Sequence, residues 1–139
     1  MKSKIGLWMV IALGLMAAGM GTTGRGPGEI PIPSKDFSAT IVDRQNIATH
    51  VTQISFNGQA TLQGARGEGS LIIPFDRIKT ISFSEANTQK RRARITFKDA
   101  GESVDVVVDG QLKVYGKSRF GAFEITMKNI QRIDFTETP

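Results

Sequence analysis

The sequence predicts an all-β protein made of two pseudo-symmetric repeats, each of about five short strands, fused into one small barrel or sandwich. Three observations carry that expectation. A block of 20 residues recurs at a spacing of 52. The segments in and around it alternate apolar and polar residues with period 2. No stretch after residue 36 holds a helical period for ten residues.

The N-terminus comes first. Lys2 and Lys4 open the chain, and the 20 residues from Ile5 to Gly24 carry no charge. Small residues at Ala17, Ala18, Gly19 and Gly21 close the apolar run. That order is the pattern of a secretory signal over residues 1–21, where small side chains let a peptidase reach the backbone. The alternative is an uncleaved anchor, since a span needs about 17–25 apolar residues; three glycines inside the run favour cleavage. Either way the expectation is an extracytoplasmic protein, periplasmic or secreted, and membrane-anchored if the segment is retained.

Export also changes the charge. Of 18 Lys+Arg, losing Lys2 and Lys4 leaves 16 against 13 Asp+Glu, a net +3. The whole-chain pI of about 9.8 therefore overstates the basicity of the folded part. Outside the cytoplasm nucleic acid drops out as a partner. With no cysteine and one histidine, disulfides, thiolate or multi-His metal sites and a Cys nucleophile are excluded. No cofactor is expected.

Residues 22–35, dominated by Gly and Pro without an apolar period, read as a linker. The all-β domain then spans 36–137, with repeats over 37–84 and 91–136. Gly64–Phe83 lies over Gly116–Phe135 without a gap, with six identities: Gly64/Gly116, Gly69/Gly121, Ile73/Ile125, Ile78/Ile130, Ile81/Ile133 and Phe83/Phe135. Asn57-Gly58-Gln59 matches Asp109-Gly110-Gln111 in the same register, and Ala39-Thr-Ile41 matches Ala93-Arg-Ile95 after a two-residue offset. Repeated residues of this kind, apolar or Gly, build a fold more than a site.

Within a repeat, Ala93, Ile95 and Phe97 share one strand face, and Arg94, Thr96 and Lys98 the other. A four-residue turn at residues 99–102 pairs Phe97 with Val104, Ile95 with Val106 and Ala93 with Val108, all on one face. A three-residue loop ending in Gly110 sets Val106 opposite Leu112, and the same count in the first repeat sets Ile54 opposite Ala60. Phe75-Asp-Arg-Ile78 and Met127-Lys-Asn-Ile130 read as single tight turns before the closing strands Lys79–Phe83 and Gln131–Phe135.

Five short strands with a one-turn break before the last resemble the small barrels of the SH3-like and Sm-like class, which implies two tandem barrels as the alternative architecture. More narrowly, Gly-x-(Leu/Phe)-x-Ile followed by Ile-x-x-Ile-x-Phe, present twice, is similar to a repeat of exported bacterial proteins of no established activity. The resemblance implies a β-repeat scaffold and carries no catalytic residue. A core of about 50 residues is thin, so fusion of the halves is physically favoured.

Motifs that invite chemistry fail on context. Gly116-Lys117-Ser118 lacks the earlier glycine and following helix of a phosphate loop, and Gly64-x-x-Gly67-x-Gly69 lacks the helix of a dinucleotide fingerprint. His50 stands alone, with Asp36 and Asp43 as the only nearby acids in sequence for an orienting role. Glu68, Asp76, Asp105, Asp109, Glu124 and Asp134 are scattered, without Ca²⁺-loop spacing. Trp8 lies in the signal, Tyr115 is the single Tyr, and Phe at alternating strand positions reads as core.

One cluster stands out: Lys90, Arg91, Arg92, Arg94 and Lys98, a candidate polyanion-binding face. Arg92, Arg94 and Lys98 recur with period 2, and Lys90 and Arg91 extend the patch into the preceding loop. The plainer alternative is a solvated face guarding a strand edge. The expected function is an exported envelope protein with a non-catalytic β-domain for binding or scaffolding, its partner an anionic envelope surface or another envelope protein. Two alternatives remain: an accessory subunit that pairs through an edge strand, and a small carboxylate-dependent hydrolase.

Overall fold

A computed structural model describes residues 29–84, 89–99 and 101–136; residues 1–28, which hold the expected signal and the start of the linker, lie outside the described residues. The first repeat supplies β1 (Ser38–Asp43), β2 (Ala48–Phe56), β3 (Thr61–Arg66), β4 (Gly69–Pro74) and β5 (Ile78–Phe83). The second supplies β6 (Lys90–Phe97), β7 (Ser103–Asp109), β8 (Lys113–Ser118), β9 (Gly121–Thr126) and β10 (Ile130–Thr136). The tight turns read from the sequence are single 3-10 turns, Phe75–Arg77 and Met127–Asn129.

All strands join one antiparallel ten-stranded sheet in the order β4, β3, β7, β6, β5, β10, β1, β2, β8, β9. The sheet curls into a half-barrel. Advancing each strand by five in chain order reverses this series of neighbours, so a pseudo-two-fold axis passes between β5 and β10. There Ile81 faces its repeat mate Ile133. Two tandem barrels are thereby excluded, because the repeats share one sheet and one buried cluster.

The halves are interleaved as well as joined. The β3–β4 hairpin of the first repeat lies beside β7 of the second, meeting it at Ala65 and Val107. Reciprocally, the β8–β9 hairpin lies beside β2 of the first repeat, with Phe56 facing Val114 and Ser55 facing Tyr115. This corrects the hairpins expected between β2 and β3 and between β7 and β8. Asn57 (φ 54°) and Gly58 (φ 89°) make a two-residue turn closed by mutual Phe56 and Gln59 hydrogen bonds, and no ladder beyond it. Period 2 assigns a strand's face but not its neighbour, which is why both pairings suit the sequence equally.

The shared glycines at Gly64 and Gly116 mark where the exchanged hairpins cross. A Cβ on Gly64 would lie 2.7 Å from Val106 Cγ2, and one on Gly116 would lie 2.6 Å from Val51 Cβ. Backbones can approach this closely only where no side chain intervenes.

The β6–β7 register is also corrected, by two residues: Ile95 faces Val104, Ala93 faces Val106 and Arg94 faces Asp105. Phe97 N–H donates to Glu102 O, and Gly101 sits at φ 64°. The expected register would have placed Glu102 at the end of the loop; the observed one puts glycine at the left-handed position, which costs a side-chain residue far more. Slippage by two keeps every side chain on its face, so the hydrophobic pattern cannot choose.

Inward residues of both repeats fill the core. Phe75 is fully buried, with ring centroids 4.8 Å from Phe56, 4.9 Å from Phe135 and 5.8 Å from Phe37. Its repeat mate Met127 is buried likewise. The end of the linker lies against the sheet: Pro33 is buried, and Ser55 Oγ donates to Pro31 O at 3.5 Å.

Candidate anion-binding face

Strand β6 begins at Lys90, earlier than its apolar run suggests, and alternation then decides each side chain. Arg91, Ala93 and Ile95 are buried, while Lys90, Arg92 and Arg94 are exposed. Arg91 therefore leaves the candidate face; the expectation that it lay in an exposed loop is overturned. It is 4% exposed. Its guanidinium donates to Met127 O at 2.8 Å, to Ile130 O, and to Ser84 O at 3.1 Å, with its Cζ 4.9 Å from the Phe83 ring centroid. Met127 O already accepts from Ile130 N–H within the second 3-10 turn, and a planar fork with several donors adds a second bond there while reaching Ile130 O and Ser84 O from the same side chain. The two-residue offset places Phe37 at the matching point of the first repeat, where its ring packs on Phe75. Arg91 is a structural bolt.

Lys98 is exposed but lies past the end of β6, where its backbone N–H donates to Arg77 O. It does not continue the strand's outer row. Lys90 faces Asp109 across the β6–β7 ladder.

Arg94 and Asp105 form a two-point pair: Nε to Oδ1 at 3.0 Å and Nη2 to Oδ2 at 3.3 Å. Those hydrogen bonds hold the Asp105 carboxyl below the usual carboxylate range, helped by the charges of Arg94, Arg92 and Arg66. They raise Arg94 in turn. Arg92 faces Val107 and makes no ion pair among the described residues. It stands between two open hollows. One of about 360 Å³ is lined by Ser82, Ser84, Arg94 and Asp105; the other, about 640 Å³, by Arg66, Gly67, Asp105 and Val107.

Arg66 belongs to this face, and sequence reasoning missed it. It ends β3, and only the hairpin exchange brings β3 beside β7. The outer face thus presents Arg66, Arg92 and Arg94 around one carboxylate, a net double positive charge. The fold does not demand these charges, because the matching positions to Arg92 and Arg94 in β1 are Ser38 and Thr40.

The other candidates disperse. His50 is exposed and faces Thr40. Asp43 Oδ1 accepts from Gln45 N and Ile47 N and serves a turn, and Asp36 Oδ1 accepts from Gln53 N at the irregularity within β2, so both acids serve the backbone. Lys117 and Ser118 sit on β8, which a hairpin follows. Gly64, Gly67 and Gly69 belong to the β3–β4 hairpin. Among the described residues no three His, Cys, Asp or Glu gather where a metal ion could be held.

Comparison with known proteins bears on the domain as a whole. One family model, described as an uncharacterised protein, matches residues 33–138. The chain belongs to that family. The match begins within the residues that pack against the sheet and runs through both repeats, so the family unit is the interleaved pair. No curated protein and no solved structure matches the chain.

Proposed function

We propose that this member of the family is an exported, non-catalytic β-domain that binds an anionic envelope partner through the outer face of β6, β7 and β3. The observation that carries the reading is Arg66 and Arg92, exposed, without ion pairs among the described residues and facing one open groove. Asp105 is neutralised within the face by Arg94, so it does not offset the other two. Exposed cations that act on the fold only through their distant charge on Asp105 are suited to an external anion. Export is supported by Lys2, Lys4 and the apolar run with its small-residue end, as read from the sequence.

A second reading, an accessory subunit joined by strand addition, is favoured by β4 and β9, which each have one neighbour in the sheet.

Chromatography on immobilised dextran sulfate, against neutral dextran, tests the first reading. The chain should be retained at low salt and released as the screening length falls to about 8 Å at physiological strength. Arg66→Gln with Arg92→Gln should elute at markedly lower salt with an unchanged unfolding midpoint. Equal retention of this variant would return the face to a solvated surface.

A further inference from the structure

The β8–β9 hairpin ends in a feature the fold does not require. Phe120, at the turn and outside the alternating strand positions expected to be core, is 85% exposed. At the pseudo-equivalent tip of the β3–β4 hairpin, 52 residues earlier, the same position is Glu68. An exposed aromatic ring on one tip and a carboxylate on the other cannot both be a demand of hairpin geometry. The tip is also held in shape. Ser118 Oγ donates to Gly121 O at 2.8 Å and accepts from Phe120 N at 3.1 Å, and Gly121 takes φ 138°. Arg119 Cζ stands 5.1 Å from the Phe120 ring centroid.

The surroundings are apolar and basic together. An open hollow of about 600 Å³ beside the tip is lined by Ile30 and Ile32 of the incoming chain, with Lys117, Ser118, Gly121 and Ala122. Ile32 is 56% exposed. Glu29 is the single carboxylate of that lining, against Lys117 there and Arg119 on the turn. The chain enters the domain along this tip, and the uncharged run Ile5–Gly24 lies shortly before it in sequence. A rigid turn carrying an aromatic wedge, flanked by cations and adjoining the exposed Ile32 and the half-buried Ile30, matches the boundary between headgroups and acyl chains of an anionic bilayer.

We propose that the β8–β9 tip docks on an anionic lipid surface, with Phe120 entering the acyl boundary and Lys117 and Arg119 at the headgroups. This shares with the proposed function only the envelope location and uses a different part of the sheet. The arginine face can fail its dextran sulfate test while the tip docks, and the reverse.

The chain has no cysteine, so single labels are unambiguous. Full-length protein carrying Ala122→Cys is labelled with an environment-sensitive dye and reconstituted with vesicles of mixed phosphatidylglycerol and phosphatidylcholine. Ser70→Cys, the repeat mate of Ala122 on the other tip, is the control. The label at position 122 should shift its emission to the blue and be quenched by nitroxide-bearing lipid, with the label at position 70 unaffected. Adding Phe120→Ser should abolish the shift at position 122 without lowering the unfolding midpoint, and pure phosphatidylcholine should weaken it. Equal signals from both tips overturn the proposal. So does quenching at position 122 that survives Phe120→Ser, since proximity would then come from the N-terminal segment and not from the wedge.

Discussion

Adding one methyl group at Gly116 probes the interleaving of the halves most directly. An alanine Cβ there would stand 2.6 Å from Val51 Cβ, 2.8 Å from its Cγ2 and 3.2 Å from its Cγ1. Carbon atoms rest at about 3.5–4.0 Å, so β8 and β2 must part by about 1 Å at their crossing. Val51 is fully buried, and its Cβ is fixed to the backbone, so no rotamer change relieves the contact. Overpacking of this kind costs about 1–3 kcal/mol. Reduced freedom of the unfolded chain returns about 0.4–1 kcal/mol of that. The net expectation for Gly116→Ala is a loss of about 1–2 kcal/mol, or roughly 4–16 °C in melting temperature for a domain near 100 residues. Gly64→Ala should behave similarly against Val106. Gly69→Ala is the control: its Cβ would meet only Arg66 O, at 3.7 Å, and should be neutral within about 0.5 kcal/mol. Urea unfolding followed by far-UV circular dichroism measures all three. A cycle with Val51→Gly, which removes the Cβ at 2.6 Å, should show coupling, the double variant losing less than the sum of the singles. Neutral Gly116→Ala, or additivity with Val51→Gly, would refute the close crossing.

Phe135→Ala and Phe83→Ala should each cost about 3–5 kcal/mol, because both close the core at repeat-equivalent positions; one neutral result in thermal melts would mean the halves are not equivalent. Arg91→Gln should destabilise by about 1–3 kcal/mol through the donors lost to the carbonyls of Met127, Ile130 and Ser84, and Arg91→Lys should recover only part. Neither change should alter retention on dextran sulfate beyond what unfolding explains. Asp105 titrates below the ordinary carboxylate value of about 3.9, so its pair with Arg94 is present above that value and is lost only as pH falls through the lower folded one. Below that point Arg94 is released beside Arg92 and Arg66, and retention on the sulfated polymer should rise; a fall in retention there, with the fold intact by circular dichroism, would contradict the assignment.

Faces were legible in the sequence, and neighbours were not. Alternation at Ala93, Arg94 and Ile95, the duplicated Ile-x-x-Ile-x-Phe and the 3-10 turns at Phe75 and Met127 follow from local patterning. Side-chain direction on a strand depends only on parity. The same parity is silent on which backbone pairs with which, because every strand offers the same amide and carbonyl edge. The exchange of the β3–β4 and β8–β9 hairpins, the two-residue shift that sets Arg94 against Asp105, and the approach of Arg66 to Arg92 therefore arise only in the tertiary structure. Arg91 shows the limit most plainly. Its parity already pointed inward once the strand began at Lys90, but a buried guanidinium is tolerable only where carbonyls converge on it. Those of Met127 and Ile130 come from a distant part of the chain, and that of Ser84 from the preceding strand's end. Composition determined that the domain is cysteine-free, and residue order that it is a two-repeat β-domain. Long-range backbone pairing decided which of its charges hold the fold and which face outward.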